Sequence, residues 1–171
     1  MYKYNIINAI EEVTDADIIR FAQILSDCKD RGGKVILAGN GGSSAICSHF
    51  ANDLIKTLHI AAVCLTDNVP TLTAYANDKN YDIALGEIAD VLARKDDVFV
   101  LMSTSGKSQN ILHLAFRFKN PTIALVGNKG GDMAKWHKHV HYLFTEGIDV
   151  RSNEDLFSII CHAVIDYLVN N

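Results

Sequence analysis

The sequence predicts an α/β protein, a three-layer sandwich in which helices cover both faces of a five-stranded parallel sheet. Five short apolar segments rich in β-branched residues are typical of buried strands. They cover residues 35–38, 61–65, 98–102, 122–126 and 140–144. The segments between them have helical spacing and are too long for hairpin turns, so crossovers must connect the strands and the strands lie parallel. We therefore predict a doubly wound fold.

Two helices are predicted before the first strand, over residues 5–30. Thr14 and Asp15 form a typical N-cap that divides them, and the second helix has apolar residues spaced along one face. Gly32 and Gly33 then end this helix and release the chain into the first strand. Because both helices are apolar, we expect them to cover one face of the sheet and to contact another subunit.

The last predicted helix covers residues 152–169, after an α/β core over residues 33–145. Its apolar residues recur at helical intervals. The two prolines, Pro70 and Pro121, each lie at the start of an element, and no linker, repeat or low-complexity segment interrupts the chain. The 171 residues are therefore predicted to form a single domain.

The composition excludes several classes of function. A net charge of −4 and a pI near 5.9 argue against nucleic-acid binding, which favours a basic surface. No segment has the length of a membrane span or the order of a signal peptide. The four cysteines lack C-x-x-C spacing, so no zinc ribbon or redox dithiol is indicated and we expect buried thiols in a reducing compartment. These features predict a cytoplasmic protein with neither nucleic-acid nor membrane partners.

Two turns rich in glycine and serine are the strongest functional indication. Residues 39–44 (Gly-Asn-Gly-Gly-Ser-Ser) and 103–108 (Ser-Thr-Ser-Gly-Lys-Ser) each follow a predicted strand and precede a predicted helix. Backbone N–H groups, hydroxyls and a helix N-terminus bind anions in such turns. The first turn matches neither a dinucleotide fingerprint nor a Walker A loop, and no nucleotide cofactor is expected.

Each turn also has an interpretation without a ligand. The first could be a glycine-rich connection that binds nothing, and the second could cap the next helix. Capping requires one hydroxyl, however, and leaves three of the four hydroxyls in the second turn unexplained. We therefore favour a phosphate site.

Histidines and carboxylates recur at multiples of four residues on two predicted helices. His49 and Asp53 share one face of the helix after the first turn, and Glu154 and His162 share a face of the last helix. Together they could form a general acid–base pair, or bind a divalent metal through two histidines and two carboxylates. Neither pair alone distinguishes these alternatives.

Several motifs occur in an order that resembles the SIS (sugar isomerase) domain family. The first turn is followed by His49-Phe50-Ala51, Thr66-Asp67-Asn68 and Ala76-Asn77-Asp78, then by the second turn and a late helical histidine. The likeness extends from residue 33 to residue 162. It implies an SIS-type, flavodoxin-like fold and an aldose–ketose isomerase of a phosphorylated sugar, in particular sedoheptulose 7-phosphate, converted into D-glycero-D-manno-heptose 7-phosphate.

The resemblance also implies the site residues. Those expected to bind the substrate are Asn40, Gly41, Gly42, Ser43, Asp67, Asn68, Ser103, Thr104, Ser105 and Ser108. The serine and threonine hydroxyls of this set would hold the phosphate, with the asparagines and the aspartate near the sugar. Four further positions act in catalysis and bind zinc in this family, and here they are His49, Asp53, Glu154 and His162.

Two of these four positions differ from the family. Asp53 stands where members have a glutamate, and Glu154 stands where they have a glutamine. By analogy Asp53 would be the base that removes a proton beside the carbonyl, and His162 the acid or its partner, through an enediol. We expect the shorter Asp53 side chain to alter rate or substrate preference, and the second carboxylate to favour one divalent cation, such as zinc, per site.

Three functions are compatible with these residues. The first is isomerisation of sedoheptulose 7-phosphate or another ketose phosphate. The second is a non-catalytic module that binds a phosphosugar or a protein partner, like a replication-initiation regulator of the same family, and the third is a scaffold with a vestigial pocket. Two histidines and two carboxylates favour the enzyme, because phosphate recognition alone requires none of them. The resemblance further implies a homotetramer with sites at subunit boundaries.

Overall fold

The computed structural model describes residues 2–135, 140–144 and 148–171. Across these ranges it contains seven α-helices, three short 3-10 helices and five strands. In chain order the helices and strands are α1 (Tyr2–Glu12), α2 (Asp15–Asp30), β1 (Val35–Ala38), α3 (Gly42–Leu58), β2 (Ala62–Cys64), α4 (Val69–Asp78), α5 (Tyr81–Leu92), β3 (Val98–Ser103), α6 (Gln109–Arg117), β4 (Thr122–Val126), β5 (Val140–Phe144) and α7 (Val150–Asn170). The predicted core boundary at residue 145 lies outside the described residues.

The strands form one parallel sheet in the order β2-β1-β3-β4-β5, which confirms the predicted α/β class and its parallel sheet. This is the flavodoxin-like strand order. Strand β2 is shorter than predicted because Leu65–Asp67 forms a 3-10 turn. Strand β3 extends one residue beyond the prediction, to Ser103, so the second serine-rich turn begins inside the sheet.

Alternate residues of each strand point to opposite faces of the sheet and fill two separate cores. In β1, Val35 and Leu37 join the core formed with α1, α2, α3 and α7. Ile36 and Ala38 join the core formed with α4, α5 and α6. Helices therefore cover both faces of the sheet, as predicted.

The N-terminal helices lie against α7 on the first of these faces. Thr14 caps α2 as predicted, since its hydroxyl accepts a hydrogen bond from the Asp17 backbone N–H at 3.2 Å and the Asp17 carboxylate accepts one from the Thr14 N–H at 3.1 Å. Helix α1 begins at Tyr2, before the predicted start at residue 5. Its Tyr4 is 68% exposed, so the expected contact with another subunit stays a prediction.

Helix α7 begins two residues before the predicted start at residue 152. Asp149 is its N-cap and accepts hydrogen bonds from the backbone N–H groups of Arg151 at 3.0 Å and Ser152 at 3.3 Å. Hydrogen bonds to Asp149 lower the pKa of its carboxyl below the ordinary value, and the bond from the Ser152 hydroxyl is the largest cause.

That the 171 residues form a single domain stays a prediction.

The structure describes the surroundings of the cysteines and the length of the apolar helices. All four of the described cysteines are free and buried, as expected. Among the described helices, none is both long enough and apolar enough to cross a bilayer.

Candidate active site

The two serine-rich turns lie side by side at one edge of the sheet. They follow β1 and β3, which are neighbouring strands, and the chain leaves these strands toward opposite faces. Open α/β sheets bind ligands at such a switch point, outside the carboxyl ends of the strands. The topology therefore brings together the two turns that the sequence separates by about 60 residues.

The first turn leads directly into α3 with little side-chain capping. Gly41 precedes the helix with a φ of +55°, a conformation that favours glycine, and among the described residues no side chain caps α3. Gly39 lies against the Ser43 backbone, because a Cβ at Gly39 would be 2.8 Å from the Ser43 carbonyl carbon. Ser43 is 3% exposed, and the first N–H groups of an α-helix such as α3 have no carbonyl partner within the helix.

The second turn is organised by its own hydroxyls. Ser103 Oγ accepts a hydrogen bond from the Gly106 N–H at 3.1 Å and donates one to Ser108 Oγ at 3.3 Å. Ser105 Oγ accepts from the Lys107 N–H at 3.2 Å, and Thr104 is half-buried beside it. Ser108 occupies the N-cap position of α6, yet within the described residues its side chain makes no capping hydrogen bond. The capping alternative therefore does not explain these hydroxyls.

A cluster of glycines after β4 supports the second turn, and the sequence analysis missed it. Gly106 has a φ of +63°, and a Cβ there would lie 2.3 Å from the Gly130 carbonyl oxygen. A Cβ at Gly127 would lie 2.3 Å from the Thr104 carbonyl oxygen, and one at Gly131 2.5 Å from the Ser105 carbonyl oxygen. Three glycines within five residues after a strand were the available indication of this close backbone approach.

A side-chain network joins the two turns, and it also escaped the sequence analysis. Asn40 of the first turn and Asn110 of α6 exchange amide hydrogen bonds of 2.9 and 2.8 Å, and the Tyr81 hydroxyl donates to Asn40 Oδ1 at 2.8 Å. Asn110 is 2% exposed, so a polar side chain here is surrounded by the core. Its indication in the sequence was an amide at the start of the helix, directly beside the apolar Ile111.

His49, Asp53 and His162 come together between α3 and α7, as the sequence analysis expected. The His49 Nε2 atom lies 3.1 Å from His162 Nε2 and 3.4 Å from Asp53 Oδ2, and His162 Nε2 lies 3.9 Å from Asp53 Oδ2. Both histidine side chains are 56% exposed, whereas Asp53 is 19% exposed. Burial raises the pKa of the underlying Cys161 thiol, and the Asp53 charge raises it further, so this thiol stays protonated.

Such spacing suits a divalent metal. Two nitrogen or oxygen ligands of a tetrahedral zinc ion are separated by about 3.3 Å, because each lies roughly 2.0–2.1 Å from the metal. The three distances in the cluster span this value, and the donor atoms all lie within 4.8 Å of one another. Two imidazoles and one carboxylate are a donor set that zinc accepts.

Glu154 lies apart from this cluster. Its carboxylate lies against the backbone of Gly42 at the N-terminus of α3, where a Cβ on Gly42 would be 2.4 Å from Glu154 Oε1. Among the described residues, the metal-competent group comprises His49, Asp53 and His162 without Glu154. The helix dipole favours a carboxylate near a helix N-terminus, in agreement with this position.

Asp67 and Asn68 are exposed where the 3-10 turn after β2 passes into α4. Asp67 Oδ2 accepts a hydrogen bond from Ser48 Oγ at 3.0 Å, and Asn68 caps α4 by accepting from the Thr71 N–H. Both line a cleft of about 700 Å³ between α3 and β2 that also includes Cys64. Asp67 and Asn68 therefore lie in this cleft beside the first turn, on the side where α3 packs.

The fold places this chain among the doubly wound α/β proteins whose switch point lies between two serine-rich turns. The sequence pattern that defines the SIS domain matches residues 2–127, which include both turns. The chain belongs to the SIS domain family, and this confirms the resemblance seen in its motifs.

Similar proteins are phosphoheptose isomerases. A probable phosphoheptose isomerase of Thermoplasma acidophilum is 38% identical over 124 residues, which are 68% of this chain and 68% of that protein. The phosphoheptose isomerase of Campylobacter jejuni is 29% identical over 161 residues, covering 90% of this chain and 86% of the other. The structure of the Neisseria gonorrhoeae phosphoheptose isomerase superposes with a TM-score of 0.90 at 29% identity, over 98% of this chain and 93% of that one.

Proposed function

We propose that this chain is a sugar-phosphate isomerase that converts sedoheptulose 7-phosphate into a heptose 7-phosphate aldose through an enediol. The observation that supports this best is the His49–Asp53–His162 cluster, because phosphate recognition alone requires no such group. The phosphoheptose isomerases described above share the fold and most of the sequence length. Their likeness favours the enzyme over a non-catalytic phosphosugar-binding or protein-binding module.

The substrate phosphate is held mainly by the second turn in this proposal. The hydroxyls of Thr104, Ser105 and Ser108 donate to its oxygens, and the N-terminus of α6 adds uncapped N–H groups. Ser103 supports this site by donating to Ser108 Oγ at 3.3 Å. Ser43 contributes a further hydroxyl from the first turn. Because Glu154 already places a negative charge at the start of α3, the dianion is better accommodated at α6.

The sugar then extends from the phosphate toward the cluster between α3 and α7. Asn40, Asp67 and Asn68 contact its hydroxyls, and the backbone of Gly41 and Gly42 allows close approach. His49 is seven residues from Gly42, or about 10 Å along α3, and helical side chains tilt back toward the N-terminus.

Isomerisation requires one proton to leave a carbon and another to arrive at its neighbour. Asp53 removes the proton from the carbon beside the carbonyl, and the electron pair of the C–H bond forms the enediol double bond. His162 protonates the carbonyl oxygen, and His49 orients the Asp53 carboxylate at 3.4 Å. Reprotonation of the former carbonyl carbon, with loss of the hydroxyl proton at the other carbon, gives the aldose.

His49, Asp53 and His162 would also hold one zinc ion per site. When bound, the metal polarises the carbonyl and stabilises the negative charge that develops on oxygen. Glu154 would have to leave Gly42 to become a fourth ligand. Since Asp53 cannot serve fully as both ligand and free base, turnover with and without a chelator distinguishes the two roles.

A homotetramer is the assembly we propose, with sites completed at subunit boundaries. The exposed apolar side chains of Tyr4 and Ile7 on α1 and Ile159 on α7 supply surface for such contacts. Size-exclusion chromatography with light scattering tests this, and a monomer contradicts it. The cytoplasmic location expected from the sequence stays a prediction.

The function is tested by incubating the protein with sedoheptulose 7-phosphate and with other five- to seven-carbon ketose phosphates, with and without a chelator. We expect aldose from the seven-carbon substrate. Asp53→Asn should abolish turnover while sedoheptulose 7-phosphate still binds, and Asp166→Asn, the matched control on α7, should turn over normally. Full turnover by Asp53→Asn would remove Asp53 as the base, and no aldose from any ketose phosphate would contradict the proposed function.

A further inference from the structure

Two cysteines that the proposed chemistry does not use are neighbours in the core on one face of the sheet. Cys47 is on α3 and Cys64 ends β2, and each thiol is close enough to shift the pKa of the other. Both are buried, at 0% and 3% exposure. They are far apart in sequence without C-x-x-C spacing, so only the packing of α3 on β2 reveals the pair.

Cys64 can be reached from outside. It is one of the residues that line the cleft of about 700 Å³ between α3 and β2, together with Asp67 and Asn68. A cleft of this size admits small solutes. Cys28, by contrast, is 0% exposed, and its thiol hydrogen-bonds the Asp96 carbonyl oxygen at 3.6 Å.

Hydrogen bonds connect Cys64 to the first serine-rich turn. Its Sγ lies 3.1 Å from Thr66 Oγ1, and Thr66 Oγ1 lies 2.5 Å from Ser44 Oγ. Ser44 is in the first turn of α3, directly after Ser43. A change at the Cys64 sulfur therefore reaches the helix start next to a proposed phosphate ligand.

The surroundings of Cys64 favour its reactive form. The neighbouring Cys47 thiol lowers the pKa of Cys64 to about 7, helped by Thr66 and opposed by burial and by the Asp67 charge. About half of a thiol with such a pKa is thiolate at neutral pH, and the thiolate is the nucleophile. Burial instead raises the pKa of Cys28 and Cys161.

We propose that Cys64 and Cys47 form a hydroperoxide-sensitive dithiol beside the phosphosugar site, and that their disulfide weakens substrate binding. The chemistry of the pair is independent of the proposed function, whereas its effect on binding rests on that function.

The reaction has two balanced steps. The Cys64 thiolate attacks the terminal OH oxygen of the hydroperoxide, the O–O bond breaks, and Cys64 becomes a sulfenic acid. The other oxygen leaves as hydroxide, or as alkoxide from an organic hydroperoxide, and is protonated by solvent. The Cys47 sulfur then attacks the Cys64 sulfur, the S–O bond breaks, and the departing hydroxide takes the Cys47 proton as water. Two thiols are oxidised and the peroxide is reduced to two waters, or to water and an alcohol when it is organic.

The disulfide alters the first turn through lost hydrogen bonding. A disulfide sulfur is a much weaker acceptor than a thiolate, so the chain from Ser44 through Thr66 loses its terminal acceptor. Closing the S–S bond to about 2.05 Å also draws α3 and β2 together. We expect the dissociation constant for sedoheptulose 7-phosphate to rise about tenfold, as for one hydrogen bond lost at the ligand.

The test treats the reduced full-length protein with hydrogen peroxide and maps its peptides by mass spectrometry. We expect a linked Cys47–Cys64 peptide pair that has lost two hydrogen atoms and is restored by dithiothreitol. At neutral pH, iodoacetamide should label Cys64 before Cys28 or Cys161 in the untreated protein. Equal labelling of the three cysteines, or no linked pair, overturns the proposal even if every variant fails to fold.

Variants measure the consequence for binding. Peroxide should weaken sedoheptulose 7-phosphate binding in the wild type and in the matched control Cys28→Ala, and leave binding by Cys47→Ala and Cys64→Ala within twofold. Equal weakening in all four proteins overturns the link between the disulfide and the site. If the reduced wild type fails to bind the sugar phosphate, the proposed function fails, while the linked peptide still decides whether the dithiol exists.

Discussion

Asn110→Ala should loosen the connection between the two serine-rich turns. The substitution removes the Asn110 amide, which exchanges hydrogen bonds of 2.9 and 2.8 Å with Asn40. It also removes an acceptor of the Ile111 N–H, but that N–H keeps the Ser108 carbonyl oxygen at 3.1 Å. The loss is therefore the pair of amide bonds, and Asn40 retains Tyr81.

The expected magnitude follows from these two bonds. Each intramolecular hydrogen bond contributes about 1 kcal/mol net, so the free energy of unfolding should fall by about 2 kcal/mol. For a chain of this size the melting temperature should then fall by about 4–8 °C. The KM for the sugar phosphate should rise, because Asn40 is no longer held in place. The affinity of the second turn for the phosphate group should change little.

Differential scanning calorimetry and steady-state kinetics measure these effects. Gln109→Ala is the matched control, because Gln109 is the exposed neighbour of Asn110 on α6 and its side chain donates to the Lys107 carbonyl oxygen at 3.2 Å, not to the network between the turns. Its melting temperature should stay within about 1 °C of the wild type. A similarly small shift for Asn110→Ala would refute the network. In a double-mutant cycle, Asn40→Ala and Asn110→Ala should couple by about 1–2 kcal/mol.

Three further predictions concern the turns and α7. Gly106→Ala should destabilise the protein by about 1–3 kcal/mol more than Gly32→Ala. Both glycines have a positive φ, but of the two only Gly106 faces a backbone oxygen, which a Cβ would approach to 2.3 Å. Equal losses of unfolding free energy for the two variants in urea would contradict this. Ser105→Ala with Ser108→Ala should raise the dissociation constant for sedoheptulose 7-phosphate at least about tenfold by calorimetry, and unchanged binding would exclude the second turn. Hydrogen bonds led by that from Ser152 lower the pKa of Asp149 in the folded state, so its stabilisation is present above the unfolded pKa and is lost as the pH falls through the folded pKa. Asp149→Asn should therefore destabilise at pH 7, the difference from the wild type should shrink as the pH falls through the lowered pKa of Asp149, and a difference that stays constant in acid would contradict this assignment.

Features set within one element were predictable from the sequence. Runs of β-branched residues located the strands that the structure describes, because a buried parallel strand must be apolar on both faces. The capping box of Thr14 and the His49–Asp53 pair also depend only on residues a few positions apart. The approach of His162 to that pair followed from the family resemblance, and the structure agrees with it.

Features that depend on how distant elements pack were not predictable. Asn110 and Tyr81 meet Asn40 only because α5 and α6 begin at the sheet edge beside the first turn. The proximity of Cys47 and Cys64 likewise requires α3 to lie on β2. Glu154 shared a helix face with His162, but periodicity does not determine side-chain rotamers, and the open N-terminus of α3 attracts its carboxylate.

Solvent exchange during turnover tests the central claim most directly. Sedoheptulose 7-phosphate incubated with the wild-type protein in D₂O should give aldose with deuterium at C2, observed by NMR, because the enediol is reprotonated from a group that exchanges with solvent. Asp53→Asn should give neither aldose nor deuterium incorporation into the recovered ketose. Aldose formed without any deuterium would contradict solvent-exchanged proton transfer by Asp53 and His162, and absence of both products with the wild type, with and without zinc, would contradict the isomerase itself.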